Sequence, residues 1–458
     1  MKRDRTASDK HNAAHAAVPP PLSQLATPVD EPITGKPQTT PSSEISTLMT
    51  EVLHKENLRR ALERVKRNKG APGIDGMSVD ELGAHLKAHW PNIRAELVDG
   101  SYQPKPVKRV EIPKPDGRKR LLGIPTVVDR FIQQAVAQVV QQQWEPHFHP
   151  NSYGFRPGRN AHQAMRHAQA TIRQGYGWVV DIDLEAFFDR VNHDRLMVRV
   201  RQHVDAPDVL KLINRFLKGG VQVAGQTQAT IQGVPQGGPL SPVLANVVLD
   251  ELDWALDARG HRFARYADDC NIFVKSKRAG DRIMQNVTRY LSGSLRLTVN
   301  AQKSAVDRPR NRKFLGFTVS RSGARIKVAD KAIEKLKDTI RELTRRTRGH
   351  RLVDIVQELK TALTGWKAYF GIAEVLSPLR EIDKWVRRRL RCYAWKQWGS
   401  AGYRELRKRG VSVREAWNTS KSAHGPWRLS KTPALNLAMP AKLFRQMGLP
   451  ELAPAKAA

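Results

Sequence analysis

Apolar positions along this chain follow more than one period. Leu53, Leu58, Leu62 and Val65 recur at helical spacing within 46–100, and Gly70-Ala-Pro-Gly-Ile-Asp-Gly76 makes a loop. Residues 107–113 and 118–124 predict a hairpin turning at Pro115-Asp116-Gly117. A helix is expected over about 126–145, and Asn160 with Gln163 predicts a capping box that opens another. Residues 178–184, Trp-Val-Val-Asp-Ile-Asp-Leu, predict a buried strand, followed by a helix over 186–202. Gly233-Val-Pro-Gln-Gly-Gly-Pro239 reads as a loop before a helix over 241–258. Phe263 to Val274 predicts two strands joined at Arg265-Tyr-Ala-Asp-Asp-Cys270, then a helix over about 279–296 and a last hairpin at 314–328. After 330 the period is helical only, carried by Ile333–Leu343, Leu352–Trp366 and Leu379–Tyr393. Mixed strands and helices followed by helices alone predict an α+β domain and a separate all-α domain.

Charge changes this picture. The 458 residues carry a formal net charge of +34, which predicts a polyanionic partner whose counterions are released on binding. An anionic membrane surface is the competitor. However, the basic residues are spread along the chain, and no apolar run of about 18 residues is seen. No apolar segment follows Met1-Lys2-Arg3, so a non-membrane, intracellular protein is expected. Residues 1–45, rich in Pro, Ser, Thr and Ala, read as a disordered arm. The two cysteines, Cys270 and Cys392, form no Cys-x-x-Cys pair, which excludes a disulfide framework and disfavours a Cys-based zinc site. Cys270 reads as a small buried apolar residue.

Asp268 and Asp269 stand together at a predicted strand–strand turn. Adjacent carboxylates repel unless a cation sits beside them, and magnesium favours one or two such ligands plus substrate phosphates. An exposed Asp-Asp turn is the plain alternative. Asp183 ends the other strongly apolar strand. If the two strands are sheet neighbours, three carboxylates meet, as two-metal phosphoryl chemistry requires.

Asp183-Leu-Glu-Ala-Phe-Phe-Asp189, Gly233-Val-Pro-Gln-Gly-Gly-Pro-Leu-Ser-Pro242, Tyr266-Ala-Asp-Asp269, Leu297-Thr-Val-Asn-Ala-Gln-Lys303 and Phe314-Leu-Gly-Phe317 occur in that order. Upstream stand Lys69-Gly-Ala-Pro-Gly-Ile-Asp75, Ile112-Pro-Lys-Pro-Asp-Gly117, Gly123-Ile-Pro-Thr126 and Ser152-Tyr-Gly-Phe-Arg-Pro-Gly158. Together they resemble the motifs of group II intron reverse transcriptase–maturases. The resemblance implies a right-hand polymerase: fingers and palm over 46–328, with a ferredoxin-like split βαβ sheet, then a helical thumb or maturase domain over 329–398. It also implies a DNA-binding tail over 399–458, where Gly425-Pro-Trp-Arg428 and Asn436 resemble the family's target-binding region. Asp183, Asp268 and Asp269 would be the catalytic carboxylates, with Asp268 the leading ligand, and the carbonyl of Leu184 would add a metal ligand. Two Mg2+ ions are implied, with Mn2+ as a substitute. Lys114 and Arg120 would grip the incoming triphosphate, although a solvated basic hairpin is the other reading. Phe188 would exclude a ribose 2′-hydroxyl, Gln236 would lie near the nascent base pair, and Lys303 would assist the pyrophosphate or only bind phosphate.

Residues 331–428 hold 24 Lys and Arg against 10 Asp and Glu. Arg387, Arg388, Arg389, Arg391 and Lys396 are interleaved with Trp385, Tyr393, Trp395 and Trp398, as suits a structured RNA. Tryptophans in the core with a solvated arginine face is the alternative, and both can hold. The resemblance implies intron RNA, template RNA, a DNA primer or target and deoxynucleoside triphosphates as partners. It leaves a homodimer open and implies a cytoplasmic, nucleoid-associated location over an organellar one. Many relatives continue into an endonuclease with paired cysteines, which is not expected here. A splicing-only RNA-binding protein and a retron-like or host-adopted reverse transcriptase are the rival readings.

Overall fold

The computed structural model describes residues 45–113, 117 and 119–454. The expected arm at 1–45 therefore lies outside the described residues except for its last position. The strands are β1 (Val107–Pro113), β2 (Lys119–Ile124), β3 (Trp178–Ile182), β4 (Val221–Val223), β5 (Gln226–Gln228), β6 (Arg262–Tyr266), β7 (Asp269–Val274), β8 (Ala305–Asp307), β9 (Phe317–Val319) and β10 (Ile326–Val328). One sheet runs β2-β1-β4-β5, a second β6-β7-β3-β8, and β9 pairs with β10. The strand adjacency on which the carboxylate reading depended, β3 beside β7, is therefore present.

The described chain forms two compact units woven from separate stretches. The first holds the residues up to 157 with 182–270 and 282–304, and the second holds 158–181, 271–281 and the residues from 305 on.

In the first unit the expected hairpin is antiparallel, with Ile112 opposite Arg120, and β1 continues into a parallel pairing with β4. Helix Val127–Trp144 opens where the Thr126 hydroxyl accepts the Asp129 N–H at 3.1 Å. It is buried nearly all round up to Val140, with Gln133, Gln134 and Gln138 included. Burying an amide without a partner costs free energy. Gln138 avoids this by donating to Asn57 Oδ1 at 2.6 Å, and Asn57 in turn donates to the Ala135 carbonyl at 3.1 Å. Helix Ser241–Asp257 is likewise buried along most of its length.

The expected helix over 186–202 is two helices, Phe187–Arg190 and His193–Arg201. Val191 and Asn192 are extended between them. Asn192 caps the second helix by accepting the Arg195 N–H at 2.9 Å, and that local bond competes with a continuous helix. Helix Pro207–Lys218 and strands β4 and β5 occupy a stretch for which the apolar pattern gave no expectation.

In the second unit the Asn160–Gln163 capping box is formed, with both of its bonds at 2.9 Å. Helices Asp330–Leu343, Leu352–Phe370 and Ser377–Trp398 match the three expected after 330. Their apolar faces share one core with residues expected in a separate tail. Leu359, Leu363 and Leu390 belong to the same cluster as Leu406, Leu435 and Phe444. The expected boundary at 398/399 is thus not a packing boundary, because the short tail helices bury their apolar positions against the long ones. Among the described residues no helix is long and apolar enough to cross a membrane.

Candidate active site

Asp183 follows the last residue of β3 and is half-buried. Its main chain is held by the segment before β8. The Asp183 N–H donates to Ser304 Oγ at 3.0 Å, and its carbonyl accepts the Asn300 N–H at 2.8 Å. Leu184, buried, bridges to Val299. The sequence 297–304 therefore fixes the position of Asp183. The exposed Lys303 lies 3.7 Å from Asp183 Oδ1, a solvent-screened pair of modest energy.

Asp268 sits in the two-residue turn Ala267-Asp268 between β6 and β7. Ala267 has φ +57°, a left-handed conformation that a residue with a Cβ rarely adopts, so the surroundings must hold it. Burial pushes the Asp268 carboxyl above the usual carboxylate range, and the charge of Asp183 pushes it the same way. Its own backbone N–H and the guanidiniums of Arg120 and Arg265 oppose that rise without cancelling it. Asp183 and Arg120 thus each lie within electrostatic reach of Asp268. Asp269, the first residue of β7, is exposed.

The charge of Asp183 acts on the Asp268 carboxyl, which makes these two carboxylates near neighbours. Among the described residues, no three His, Cys, Asp or Glu side chains gather as a metal cage. The donor set still fits a hard cation. Two carboxylates plus substrate phosphates is the usual way magnesium is held, and a bound cation would relieve the desolvation that raises Asp268.

A cavity of about 520 Å3 is lined by Phe188, Gln236, Leu122, Arg130, Gln134 and Phe155, among others. The Phe188 ring meets Phe187 edge-on at 5.1 Å. The Phe188 carbonyl accepts the Val234 N–H at 2.6 Å, and the Gln236 carbonyl accepts the Gly123 N–H at 2.9 Å. Gly233 makes that close approach feasible: its φ is +91°, and a Cβ there would lie 2.9 Å from the Asp189 carbonyl oxygen. The two residues expected near sugar and base therefore face one cavity. Lys114 lies outside the described residues; Arg120 is exposed on β2.

The family signature for reverse transcriptase (RNA-dependent DNA polymerase) matches residues 112–319, and that for the group II intron maturase-specific domain matches 333–410. Protein YkfC of Escherichia coli is 34% identical over 308 residues, covering 58% of this chain and 81% of that protein. The group II intron-encoded protein LtrA of Lactococcus lactis is 38% identical over 197 residues, covering 42% of this chain and 32% of that protein. Nuclear intron maturase 1 of Arabidopsis thaliana is 32% identical over 94 residues, covering 20% of this chain and 13% of that protein. The chain belongs to the reverse transcriptases of the group II intron type.

In this reverse transcriptase the maturase-specific stretch uses its arginines in a way the sequence did not disclose. Arg388 stacks 3.6 Å over the Trp427 ring and donates to the Trp427 carbonyl at 3.0 Å. Arg389 donates to the Arg341 carbonyl at 3.2 Å, and Arg391 to the Met439 carbonyl at 2.9 Å. Arg387 lies 3.6 Å from Glu451. All four are half-buried struts rather than a free solvent-facing row, while Lys396 is exposed.

Sequence reasoning also missed Arg265, Asp253 and Asn246. Arg265 is fully buried on β6, and its guanidinium takes both oxygens of Asp253 at 2.5–3.0 Å. The available signal was Asp253 standing on the apolar side of its helix with Leu249, Leu252 and Leu256.

Proposed function

We propose that this reverse transcriptase copies RNA into DNA at the Asp183–Asp268 pair and also binds its parent group II intron RNA to promote splicing and mobility. The observation that carries the first part is the electrostatic proximity of Asp183 and of Arg120 to Asp268 within the matched polymerase domain. Asp183, Asp268, Asp269 and the Leu184 carbonyl would hold two divalent cations, Mg2+ or Mn2+, which supply charge neutralisation at the triphosphate and a lowered pKa at the attacking primer 3′-hydroxyl. Arg120, joined by Lys114, grips the triphosphate by charge-assisted hydrogen bonds. Phe188, on the wall of the cavity, would clash with a 2′-hydroxyl and so select deoxynucleotides. Gln236 lies against the nascent base pair, and Lys303, next to Asp183, donates a proton toward the leaving pyrophosphate.

The maturase part rests on the signature at 333–410 and the basic excess of the helical unit. Lys396 and the exposed cations that follow it contact phosphates, while Arg387, Arg388, Arg389 and Arg391 fix the surface that presents them. Primer extension on an RNA template, with deoxy- and ribonucleotides in parallel, tests the polymerase reading. A splicing assay with a related group II intron at low magnesium, with and without protein, tests the maturase reading, and splicing that never depends on the protein refutes it.

A further inference from the structure

The geometry points to a buried brace, Arg265 with Asp253, Asn246 and the Tyr153-Gly154 backbone, that positions the Asp268 turn for nucleotidyl transfer. Arg265 has no solvent exposure, although it sits three residues before Asp268. A guanidinium cannot shed its charge in a protein, so burying one is costly unless every donor finds a partner. Here Nε and Nη2 take the Asp253 carboxylate in a bidentate grip, and Nη1 reaches Asn246 Oδ1 at 3.0 Å. The same Nη1 donates to the Ala267 carbonyl at 3.0 Å. Ala267 is the residue held left-handed immediately before Asp268. One charged, directional group thus ties the strained residue of the turn to helix Ser241–Asp257.

A second set of contacts approaches the turn through the main chain. The Arg265 N–H donates to the Asn151 carbonyl at 3.0 Å, and the Tyr153 N–H donates to the Arg265 carbonyl at 2.9 Å. Asn246 Nδ2 donates to the Gly154 carbonyl at 2.8 Å, so one amide joins the guanidinium to this segment. Gly154 presses directly on the turn: a Cβ there would lie 2.3 Å from the Ala267 nitrogen and 3.0 Å from the Tyr266 carbonyl carbon. That approach gives Gly154 of the Ser152–Gly158 motif a physical task beside the Asp268 turn.

These are positioning residues, and the inference rests on Asp268 being a site carboxylate. Two variants displace the turn by different means. Arg265→Lys removes the bidentate grip and the Ala267 bond, because an ammonium cannot reproduce the fork. Gly154→Ala leaves the ion pair intact and pushes on Ala267, so the test survives if Arg265→Lys fails to fold. Each is measured for thermal unfolding, for Mn2+ binding to the free protein by electron paramagnetic resonance, and for single-nucleotide extension. At least one folded variant is expected to bind Mn2+ about 10-fold more weakly and to lose about 100-fold in kcat, with the nucleotide KM within about threefold, as loss of turn geometry rather than of substrate contacts requires. Folded variants with Mn2+ affinity and kcat within twofold of wild type overturn the brace, as does activity loss that only follows the unfolded fraction. Wild-type extension in Asp268→Ala would instead overturn the site assignment, which keeps the two failures distinct.

Discussion

Phe188→Ala removes the ring that we assign to sugar selection, and its effect can be sized. The Phe188 carbonyl is fixed by the 2.6 Å bond from Val234, and the ring is backed by the buried Phe187 at 5.1 Å, so neither backbone nor ring can readily yield to an extra hydroxyl. Forcing a group into filled space costs about 1–3 kcal/mol. Expressed as a ratio of kcat/KM values, that is about 5- to 150-fold in discrimination. Phe188→Ala should therefore relax the preference for dATP over ATP by that factor, through a gain with ATP rather than a general loss. Single-nucleotide incorporation on an RNA template, measured for both nucleotides, gives the ratio directly. A folded variant that still uses dATP well and keeps wild-type selectivity within twofold would refute the steric argument.

Two further outcomes follow from the geometry. Asp250 is buried near Asp253, and burial, with the Asp253 charge adding to it, lifts its carboxyl to about 6. The folded state then holds its proton more tightly than the unfolded chain, so this contribution to stability is present at low pH and is lost as pH rises from about 4 through about 6. Asp250→Asn keeps an acceptor for the His149 N–H, now at 3.2 Å, and should be more stable than wild type by about 2–3 kcal/mol at pH 8, with the gap closing toward pH 4. Urea unfolding across that range checks it, and a gap independent of pH contradicts it. Lys396→Ala removes an exposed cation, so RNA affinity should fall slightly and the slope of log K against log salt should shrink by about 0.7–0.9, which a filter-binding salt series measures. An unchanged slope would remove Lys396 from the RNA surface.

The parts of this protein that were legible in the sequence are those where local chemistry and tertiary demand agree. Strand β7 and its turn could be read because Ile272-Phe273-Val274 is apolar enough to be central and two carboxylates mark its start. The Asn160–Gln163 box could be read because both of its bonds are made within one helical turn. The break at Val191-Asn192 was hidden, since the apolar spacing continues across it; its cause lies partly in Asn192 bridging to Gln232, forty residues away. Strands β4 and β5 were missed because three-residue strands carry almost no period, and they exist by β4 pairing onto β1 and β5 onto β4. At the site, Asp183, Asp268, Phe188 and Gln236 were named from motifs, but the brace through Arg265 was not. A buried arginine looks like any surface cation until the helix bearing Asp253 is seen beside it. The contacts of Arg388 and Arg391 were hidden as well, because the Trp427 and Met439 carbonyls that they reach come from distant parts of the chain.

The central claim is that Asp268, paired with Asp183, carries RNA-templated DNA synthesis. Primer extension on an RNA template with deoxynucleoside triphosphates, run for wild type and Asp268→Ala alongside RNA binding by both, tests it most directly. Extension by the wild type, none by the variant, and RNA affinity equal within about twofold are expected, because phosphate contacts by cations elsewhere set that affinity. Extension by Asp268→Ala at the wild-type rate would contradict it.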